Sequence, residues 1–530
     1  MRKKGENRLI ILTAIFFFSF FGIALNYFRL SQEQQHVQTA AESSYMTIHA
    51  GDSWGTVYDR NFTPLTNSEC NIMAIAVPSA VDINVISEIA ADKKLVKEKY
   101  DEGRPFAFEC IKKGTESEGL TFFEIPERYG KDVKAPHIIG YLSDGSGASG
   151  IEYAYDMVLR SGNVENSVTY STDGSGRVLI GGGKNVVRSD KQKTGVVLTI
   201  DSEIQEICEK AGKKIDKGAV IVSDVKNGEI LGMASFPDYD VNDISPALND
   251  ERSPMINRNL YSYSVGSIFK LVTACEALNE GLSGYVYECS GAEDVRGQKF
   301  GCHDRNGHGI QSIEDAMINS CNPYFISLSQ CLDTMAFRSL AYSLGFGREI
   351  HLCTGMISSA GNLPSVEELL VPAELANFSF GQGRLSATPL QVNQFTCAVA
   401  NGGDLIMMRL IRGITVDGET VGNEKAFLRS RVMAAETAAE LRKMMIGVIY
   451  KNENSNAVPE KVVAAAKTST AQTGRFDENG EELCHGWITG FFPASSPRYA
   501  VTVLVEDGGY GNDSAAPVFK DIVDMIMCRK

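Results

Sequence analysis

Three short strings of residues in this chain could together carry out serine acyl transfer. The string Ser267-Ile268-Phe269-Lys270 places a hydroxyl nucleophile one helical turn before a lysine. Further along, Ser320-Cys321-Asn322 supplies a second hydroxyl and an amide, and Lys467-Thr468-Ser469 supplies a cation for a carboxylate. Because each string provides a different part of one reaction, we expect the fold to bring all three together.

The first string begins a predicted buried helix from Ser267 to Glu280, with Gly281 as its C-terminal stop. A serine in the first turn of a helix lies beside free backbone N–H groups and the positive end of the helix dipole. Lys270, at i+3, lies on the same face within reach of the serine hydroxyl. The pattern therefore predicts a nucleophile with a base beside it.

Lysine acts as a general base only when its pKa falls, because the ordinary value of about 10.4 leaves almost none of it neutral near pH 7. Burial of Lys270 and the charge of Lys467 would both lower that pKa. Ser320 is predicted to lie between the two lysines and relay the proton toward the leaving amine. Asn322 is predicted to offer its amide to the substrate backbone. Taken alone, the second string is better explained as a helix N-cap or turn, because Pro323 follows it.

The third string lies in a β-favouring stretch, residues 461–472. A turn-like segment follows at residues 474–480, and two more predicted strands at residues 486–492 and 499–506 complete an antiparallel meander.

Side chains alternate across a strand, so Lys467 and Ser469 are predicted to face one way and Thr468 and Thr470 the other. The backbone N–H groups of Thr470 and Ser267 would then form an oxyanion hole.

The order and spacing of these strings resemble the penicillin-binding proteins, the D,D-transpeptidases that cross-link bacterial peptidoglycan. Other stretches resemble the same family, and the two nearest the N-terminus resemble the pedestal domain of its class B members. These stretches are Gly55 to Asn61, Gly150 to Glu152, the predicted hairpin Gly218 to Ser235, Phe380 to Gly383 and Ala387 to Gln391. The resemblance implies an α+β fold (an α/β sandwich) whose central antiparallel five-stranded sheet is flanked by helices.

The resemblance also implies a reaction. Ser267, activated by Lys270, would attack the penultimate D-Ala carbonyl of a stem peptide, and an amine of a neighbouring stem peptide would then attack the acyl-enzyme. β-Lactams would acylate the same serine, and no cofactor is expected. The implied catalytic residues are Ser267, Lys270, Ser320, Asn322 and Lys467. The implied substrate-binding residues are Thr468, Ser469 and Thr470.

The chain departs from the family pattern at three positions. Ser469 stands where the family usually has glycine, and Val265 and Ile268 stand where it commonly has proline and threonine. We hypothesise a working site with altered β-lactam affinity. Two alternatives remain open, a β-lactamase or β-lactam sensor on the same fold and a pseudo-transpeptidase that serves as a scaffold in a cell-wall assembly.

A length of 530 residues predicts more than one domain. Residues 1–8 carry four basic side chains, and the apolar run at residues 9–28 is long enough to span a membrane. The positive-inside rule places residues 1–8 in the cytoplasm and everything after about residue 29 outside the cell. A cleaved signal peptide is the alternative, but the run is long for one.

Residues 29–192 would form an elongated, dimerisation-type pedestal with its linker, and residues 193–530 the transpeptidase domain. Within the latter, Val196 to Ile200 is a predicted strand and Asp201 the N-cap of a helix through Ala211. A glycosyltransferase signature is not recognisable upstream, which favours a monofunctional enzyme. We expect a single-pass protein of the bacterial cell membrane with its catalytic domain outside.

The net charge of −15 and the lack of a basic cluster argue against nucleic acid as a partner. The expected partners are peptidoglycan stem peptides, β-lactams and the membrane. The resemblance adds a glycan-synthesising partner in a division or elongation complex, and a homodimer is compatible with it.

All twelve cysteines follow the apolar run, on the side where disulfides can form. Cys289 and Cys302 resemble a cysteine pair of some relatives, and the sequence leaves open whether they form a disulfide. With His303 and His308 they could hold zinc, but the adjacent Cys302 and His303 would strain a tetrahedral site. We therefore predict no metal ligand, expect the remaining cysteines to be buried small hydrophobes, and assign His485 a structural role.

Overall fold

The computed structural model describes residues 2–32, 45–161, 164–188, 194–422 and 428–529. Contacts divide the chain into two compact units. The first comprises Met1–Trp54, Glu69–Glu127 and Asn163–Gln192, and the second comprises Gly55–Ser68, Arg128–Gly162 and Lys193–Lys530. The predicted boundary between residues 192 and 193 lies outside the described residues.

The first unit contains the N-terminal helix Arg2–Gln32, of which Ile10–Ser31 is long and apolar enough to cross a membrane. This stretch overlaps the predicted span at residues 9–28. The unit also contains two three-stranded antiparallel sheets and two capped helices. The strands, in sheet order, are Tyr45–Ser53, Val164–Ser171 and Lys184–Val187, then Phe106–Cys110, Glu69–Ala76 and Leu120–Glu127, and the helices are Ile83–Ile89 and Lys93–Asp101.

The second unit is built on a five-stranded antiparallel sheet in the order β2-β1-β5-β4-β3. Its strands are β1 (Gly218–Asp224), β2 (Ile230–Phe236), β3 (Ala465–Phe476), β4 (Glu482–Phe492) and β5 (Tyr499–Val505). β1 and β2 form the predicted hairpin. β3, β4 and β5 form the predicted meander.

The ends of β3 and β4 differ from the prediction. Lys461 donates its backbone N–H to Asp524 rather than to a neighbouring strand (3.0 Å), so β3 begins only at Ala465. The turn is shorter than predicted, because Asp477 closes it with a 2.9 Å hydrogen bond to the Glu481 carbonyl and the flanking residues pair as strand.

Helices cover both faces of this sheet. α1 (Ser202–Gly212) and α6 (Ala516–Met527) pack on one face with alternate strand residues such as Ile488 and Phe492. α2 (Lys270–Asn279), α4 (Pro389–Ala400) and α5 (Ala435–Tyr450) pack on the other with Trp487 and Phe491. This alternation is the period-two pattern of strands buried on both sides.

Short elements complete the second unit. Asp201 caps α1 through hydrogen bonds from the backbone N–H groups of Glu203 and Ile204, as predicted. A small sheet joins Thr56–Tyr58, Gly195–Leu198 and Ile411–Thr415. Further helices are Pro136–Ile139, Gly150–Ala154, Asp156–Ser161, Ser245–Leu248, Ile313–Ile318, α3 (Asn322–Ser329), Thr334–Ser343, Val366–Leu369, Pro372–Ser379 and Gly511–Ser514. Strand pairs are Leu142–Ser143 with Ser146–Gly147, Tyr263–Ser264 with Ser386–Ala387, Tyr287–Cys289 with Gly309–Gln311, Ala292–Val295 with Gln298–Gly301, His351–Cys353 with Met356–Ile357, and Asp404–Ile406 with Arg429–Arg431.

Candidate active site

Ser267 lies in a single 3₁₀ turn, Gly266–Phe269, that leads directly into α2. The sequence predicted a helix from Ser267, and the difference is confined to this tighter first turn. Gly266 has a φ of +61° and donates its N–H to the Gly381 carbonyl at 2.8 Å, which holds the turn in place. Gly281, with a φ of +77°, ends the helical segment as predicted.

Lys270 is fully buried and directs its Nζ at the second string. Nζ donates to the Ser320 carbonyl (2.6 Å), to the Ser320 hydroxyl (3.2 Å) and to Asn322 Oδ1 (2.6 Å). Asn322 was predicted to offer its amide to a substrate, but here its oxygen binds Lys270 and its Nδ2 donates to the Gly301 carbonyl (3.4 Å).

Lys467 also reaches the Ser320 hydroxyl. Its Nζ donates to Ser320 Oγ at 3.2 Å and to the Thr468 carbonyl at 3.0 Å. Ser320 Oγ therefore lies between the two lysines, in the position that a relay requires; the relay itself stays a prediction.

Burial is the main cause that lowers the pKa of Lys270 well below its ordinary value, and the charge of Lys467 lowers it further. Burial also lowers the pKa of Lys467 to about 7. A neutral lysine beside a hydroxyl can accept a proton near pH 7, so the geometry and the electrostatics both suit acid–base chemistry.

The backbone of the second string is tightly bent. Ser320 has a φ of +50°, a conformation that residues other than glycine seldom adopt. Cys321 is the N-cap of α3, and Pro323 lies in its first turn. The string therefore begins a helix, as its sequence predicts when taken alone. It also places Ser320 beside the two lysines.

The third string lies on the edge strand β3. Lys467 and Ser469 are buried, with 1% and 4% of their surface exposed, whereas Thr468 and Thr470 are partly exposed. This alternation confirms the predicted facing of the four side chains. Thr470 Oγ1 accepts a 3.2 Å hydrogen bond from the backbone N–H of Gly511, a partner that the sequence analysis missed.

Ser469 faces the nucleophile's turn. Its Oγ donates to the Val265 carbonyl at 2.8 Å. A Cβ on Gly266 would lie only 2.4 Å from this Oγ, so the side chain fills space that Gly266 leaves open. The hydroxymethyl group is therefore accommodated by a local hydrogen bond to the Val265 carbonyl.

Four metal-binding side chains converge behind the second string. The ligand atoms of Cys289, Cys302, His308 and Cys321 all lie within 4.8 Å of one another. Cys321 replaces His303 in the set considered from the sequence, and it was missed because it was treated only as the spacer between Ser320 and Asn322. The objection that adjacent Cys302 and His303 would strain a tetrahedral site does not apply here, because His303 is not one of the four.

The cysteines are free thiols in this structure, including Cys289 and Cys302. A hydrogen bond between the Cys302 and Cys321 thiols lowers the pKa of Cys302 and raises that of Cys321. The expectation that the remaining cysteines are buried is wrong for three of them, which lie in segments at the protein surface. These are Cys70, Cys331 and Cys528.

His485 is buried beside β5 and makes structural contacts. Its Nδ1 accepts the backbone N–H of Asp507 at 3.2 Å, and its ring packs edge-on against Tyr263. These contacts agree with the structural role predicted for it.

The sequence of this chain is similar to a known protein family and to named members of it. The model of the penicillin-binding protein transpeptidase domain matches residues 218–524. Stage V sporulation protein D of Bacillus subtilis is 28% identical over 90% of this chain and 80% of its own length. Peptidoglycan D,D-transpeptidase PbpA of Mycolicibacterium smegmatis is 27% identical over 72% of this chain and 80% of its own length.

Solved structures share the fold. The D,D-transpeptidase domain of a peptidoglycan glycosyltransferase from Eggerthella lenta has a TM-score of 0.66 at 22% identity and covers 90% of this chain and 98% of its own. Penicillin-binding protein A from M. tuberculosis, solved as a penicillin G acyl-enzyme, has a TM-score of 0.63 at 22% identity. The match covers 79% of this chain and 96% of that protein's chain. Since the family model spans more than half of the sequence, this chain belongs to the penicillin-binding protein transpeptidase family.

Proposed function

We propose that this chain is a class B peptidoglycan D,D-transpeptidase that works through an acyl-enzyme on Ser267. The observation that carries the proposal is the position of Ser320 Oγ, 3.2 Å from both Lys270 Nζ and Lys467 Nζ. This arrangement provides a path for a proton between a nucleophile and a leaving group. Relatives named D,D-transpeptidases and a neighbour solved as a penicillin G acyl-enzyme support it.

In the first half-reaction, neutral Lys270 accepts the Ser267 proton as the hydroxyl attacks the penultimate D-Ala carbonyl of a stem peptide. The backbone N–H groups of Ser267 and Thr470 hold the oxyanion. The C–N bond to the terminal D-Ala breaks, and the proton reaches the leaving amine through Ser320. Lys467 and Thr468 bind the substrate carboxylate, with Ser469 and Thr470 supporting that strand.

In the second half-reaction, an amine of a neighbouring stem peptide attacks the Ser267 ester. A new amide bond forms, the ester C–O bond breaks, and Ser267 regains a proton by the reverse of the same path. β-Lactams acylate Ser267 in the same position. The proposed chemistry uses only side chains and backbone N–H groups of this chain, so no cofactor is required.

We further propose how the chain is arranged at the membrane. Residues 1–8 form a cytoplasmic tail, residues 9–28 a membrane anchor, residues 29–192 a pedestal with its linker, and residues 193–530 the transpeptidase domain. The apolar helix and the basic residues before it support this orientation. A glycan-synthesising complex and a second copy of the chain are the proposed protein partners.

Fluorescent penicillin tests the catalytic proposal. The wild-type chain is expected to be labelled covalently and Ser267→Ala to remain unlabelled, with Ser343→Ala, at an exposed serine, as the control. An unlabelled but folded wild-type chain would favour the scaffold reading, and release of the label within minutes would favour a β-lactamase.

A further inference from the structure

We propose that Cys289, Cys302, His308 and Cys321 bind one zinc ion in a Cys₃His site directly behind the Ser320–Asn322 string. Among the residues that the structure describes, this is the group of histidine, cysteine and acidic side chains whose ligand atoms converge closely enough to hold a metal. The site lies outside the proposed reaction path, which requires no metal.

The donor geometry fits zinc. In a tetrahedral site with Zn–S bonds of about 2.3 Å and a Zn–N bond of about 2.0 Å, neighbouring ligand atoms lie about 3.5–3.8 Å apart. Here the four atoms lie within 4.8 Å of one another, and Cys302 Sγ lies 3.4 Å from His308 Nδ1. Binding therefore requires side-chain shifts of about 1 Å or less.

The donor chemistry is selective. Three sulfur ligands and one imidazole favour zinc over magnesium and calcium, which prefer oxygen. The three cysteines are 2%, 7% and 0% exposed, so the ion would be enclosed. Four protein ligands leave no open position, which is the arrangement of a structural rather than a catalytic zinc.

The backbone brings the ligands together from four places in the sequence. Cys289 ends a short strand and pairs with Gly309, which places His308 beside it. Cys302 donates its backbone N–H to the Gly291 carbonyl at 2.9 Å. Gly307 has a φ of +81°, and a Cβ there would lie 2.2 Å from the Cys289 carbonyl oxygen, so the loop closes tightly around the cluster.

Strands of three and four residues cannot hold such a loop by pairing alone. The pairs here are Tyr287–Cys289 with Gly309–Gln311 and Ala292–Val295 with Gln298–Gly301. A metal bound across them would supply folding free energy, because a site formed only in the folded chain adds its binding free energy to folding.

The fourth ligand connects the site to the catalytic string. Cys321 lies between Ser320 and Asn322 in the chain. Lys270 Nζ donates a 2.6 Å hydrogen bond to the Ser320 carbonyl and another of 2.6 Å to Asn322 Oδ1. Fixing Cys321 on zinc would hold the unusual backbone of Ser320 (φ +50°) and make Cys321 a positioning residue. This consequence rests on the proposed function, whereas zinc binding itself does not.

Metal analysis of the purified full-length chain in detergent, kept reduced and free of chelator, tests zinc binding. We expect about one zinc per chain in the wild type and in Cys208→Ser, a buried cysteine on the opposite face of the sheet. Cys289→Ser and His308→Ala are expected to lose most of it. Added cobalt(II) should give thiolate charge-transfer absorption in the wild type and weaker absorption in Cys289→Ser.

A wild-type chain that is acylated by penicillin but holds less than about a tenth of an equivalent of zinc, and shows no thiolate absorption with cobalt(II), would overturn the site. So would a Cys289–Cys302 disulfide in protein taken from its own cell envelope. For the positioning role, zinc removal is expected to lower the acylation rate constant about tenfold, with unchanged penicillin binding and recovery on adding zinc back. Full zinc occupancy with no such change would overturn the positioning role alone.

Discussion

The Ser469 hydroxyl donates a 2.8 Å hydrogen bond to the backbone carbonyl of Val265. This contact joins the edge strand β3 to the residue two positions before the nucleophile. Gly266, next in the chain, has no Cβ where one would clash with Ser469 Oγ at 2.4 Å. Ser469, which stands where the family usually has glycine, therefore fits because the residue facing it, Gly266, has no side chain.

Ser469→Gly is expected to slow acylation by labelled penicillin about fivefold, the rate equivalent of about 1 kcal/mol. The change leaves the buried Val265 carbonyl without its partner and loosens β3 against the nucleophile's turn. Stopped-time labelling, with thermal unfolding in parallel, measures both effects. An acylation rate equal to wild type would refute the idea that Ser469 tunes β-lactam affinity.

Gly266→Ala is expected to be more damaging in the wild-type chain than in the Ser469→Gly background. The positive φ of Gly266 strains alanine in both backgrounds, but only Ser469 adds the close contact with the new Cβ. A double-mutant cycle on unfolding free energy should give a coupling of about 1 kcal/mol or more. Strict additivity would show that the two residues do not share this space.

Asn322→Asp is expected to lower acylation at pH 7 about tenfold and to recover at higher pH. A carboxylate 2.6 Å from Lys270 Nζ would favour the charged lysine and raise its pKa, so less of the base would be neutral. Asn322→Ala removes the same hydrogen bond without adding charge and should not be rescued by pH. Asn319→Asp, in the preceding turn, serves as the control, and matching pH profiles for Asn322→Asp and Asn322→Ala would contradict the prediction.

Lys467 should make the chain more stable as the pH rises. The folded chain holds it neutral above about pH 7, whereas an unfolded lysine stays charged to about pH 10.4, so the unfolded state binds more protons in that window. The free energy of unfolding then rises with pH by up to about 1.4 kcal/mol per unit for this group. Urea unfolding between about pH 7 and 10 measures this slope, which should be smaller in Lys467→Met than in the wild type. Lys461→Met, at an exposed lysine, is the control and should keep the wild-type slope. Equal slopes in the two variants would contradict the lowered pKa of Lys467.

Much of the site could be predicted from the sequence because its signals are local. The alternation of Lys467, Thr468, Ser469 and Thr470 depends only on strand geometry, and the cap at Asp201 depends on its neighbours in the chain. The limits of β3 and β4 were less accurate, because Lys461 is drawn out of the ladder by Asp524, a residue far away in sequence.

Contacts between distant segments were the part that the sequence could not supply. Cys321 joins Cys289, Cys302 and His308 only because α3 starts against a loop closed by short strands. Gly511 likewise meets Thr470 through the chain after β5. Neither contact has a periodic signature, so packing alone reveals them.

The proposed orientation predicts which cysteines react in intact cells. Cys70, Cys331 and Cys528 are exposed and follow the apolar helix, so all three should lie outside the membrane and react with an impermeant maleimide. The experiment suits a host without an outer membrane. The unlabelled control is a variant in which the three exposed cysteines and the two half-buried ones, Cys353 and Cys484, are all changed to serine. Gly5→Cys added to that variant should react only after lysis, because the basic residues around it hold the N-terminus inside. Labelling of Gly5→Cys in intact cells, with the native cysteines protected, would reverse the topology and remove the catalytic domain from its substrate.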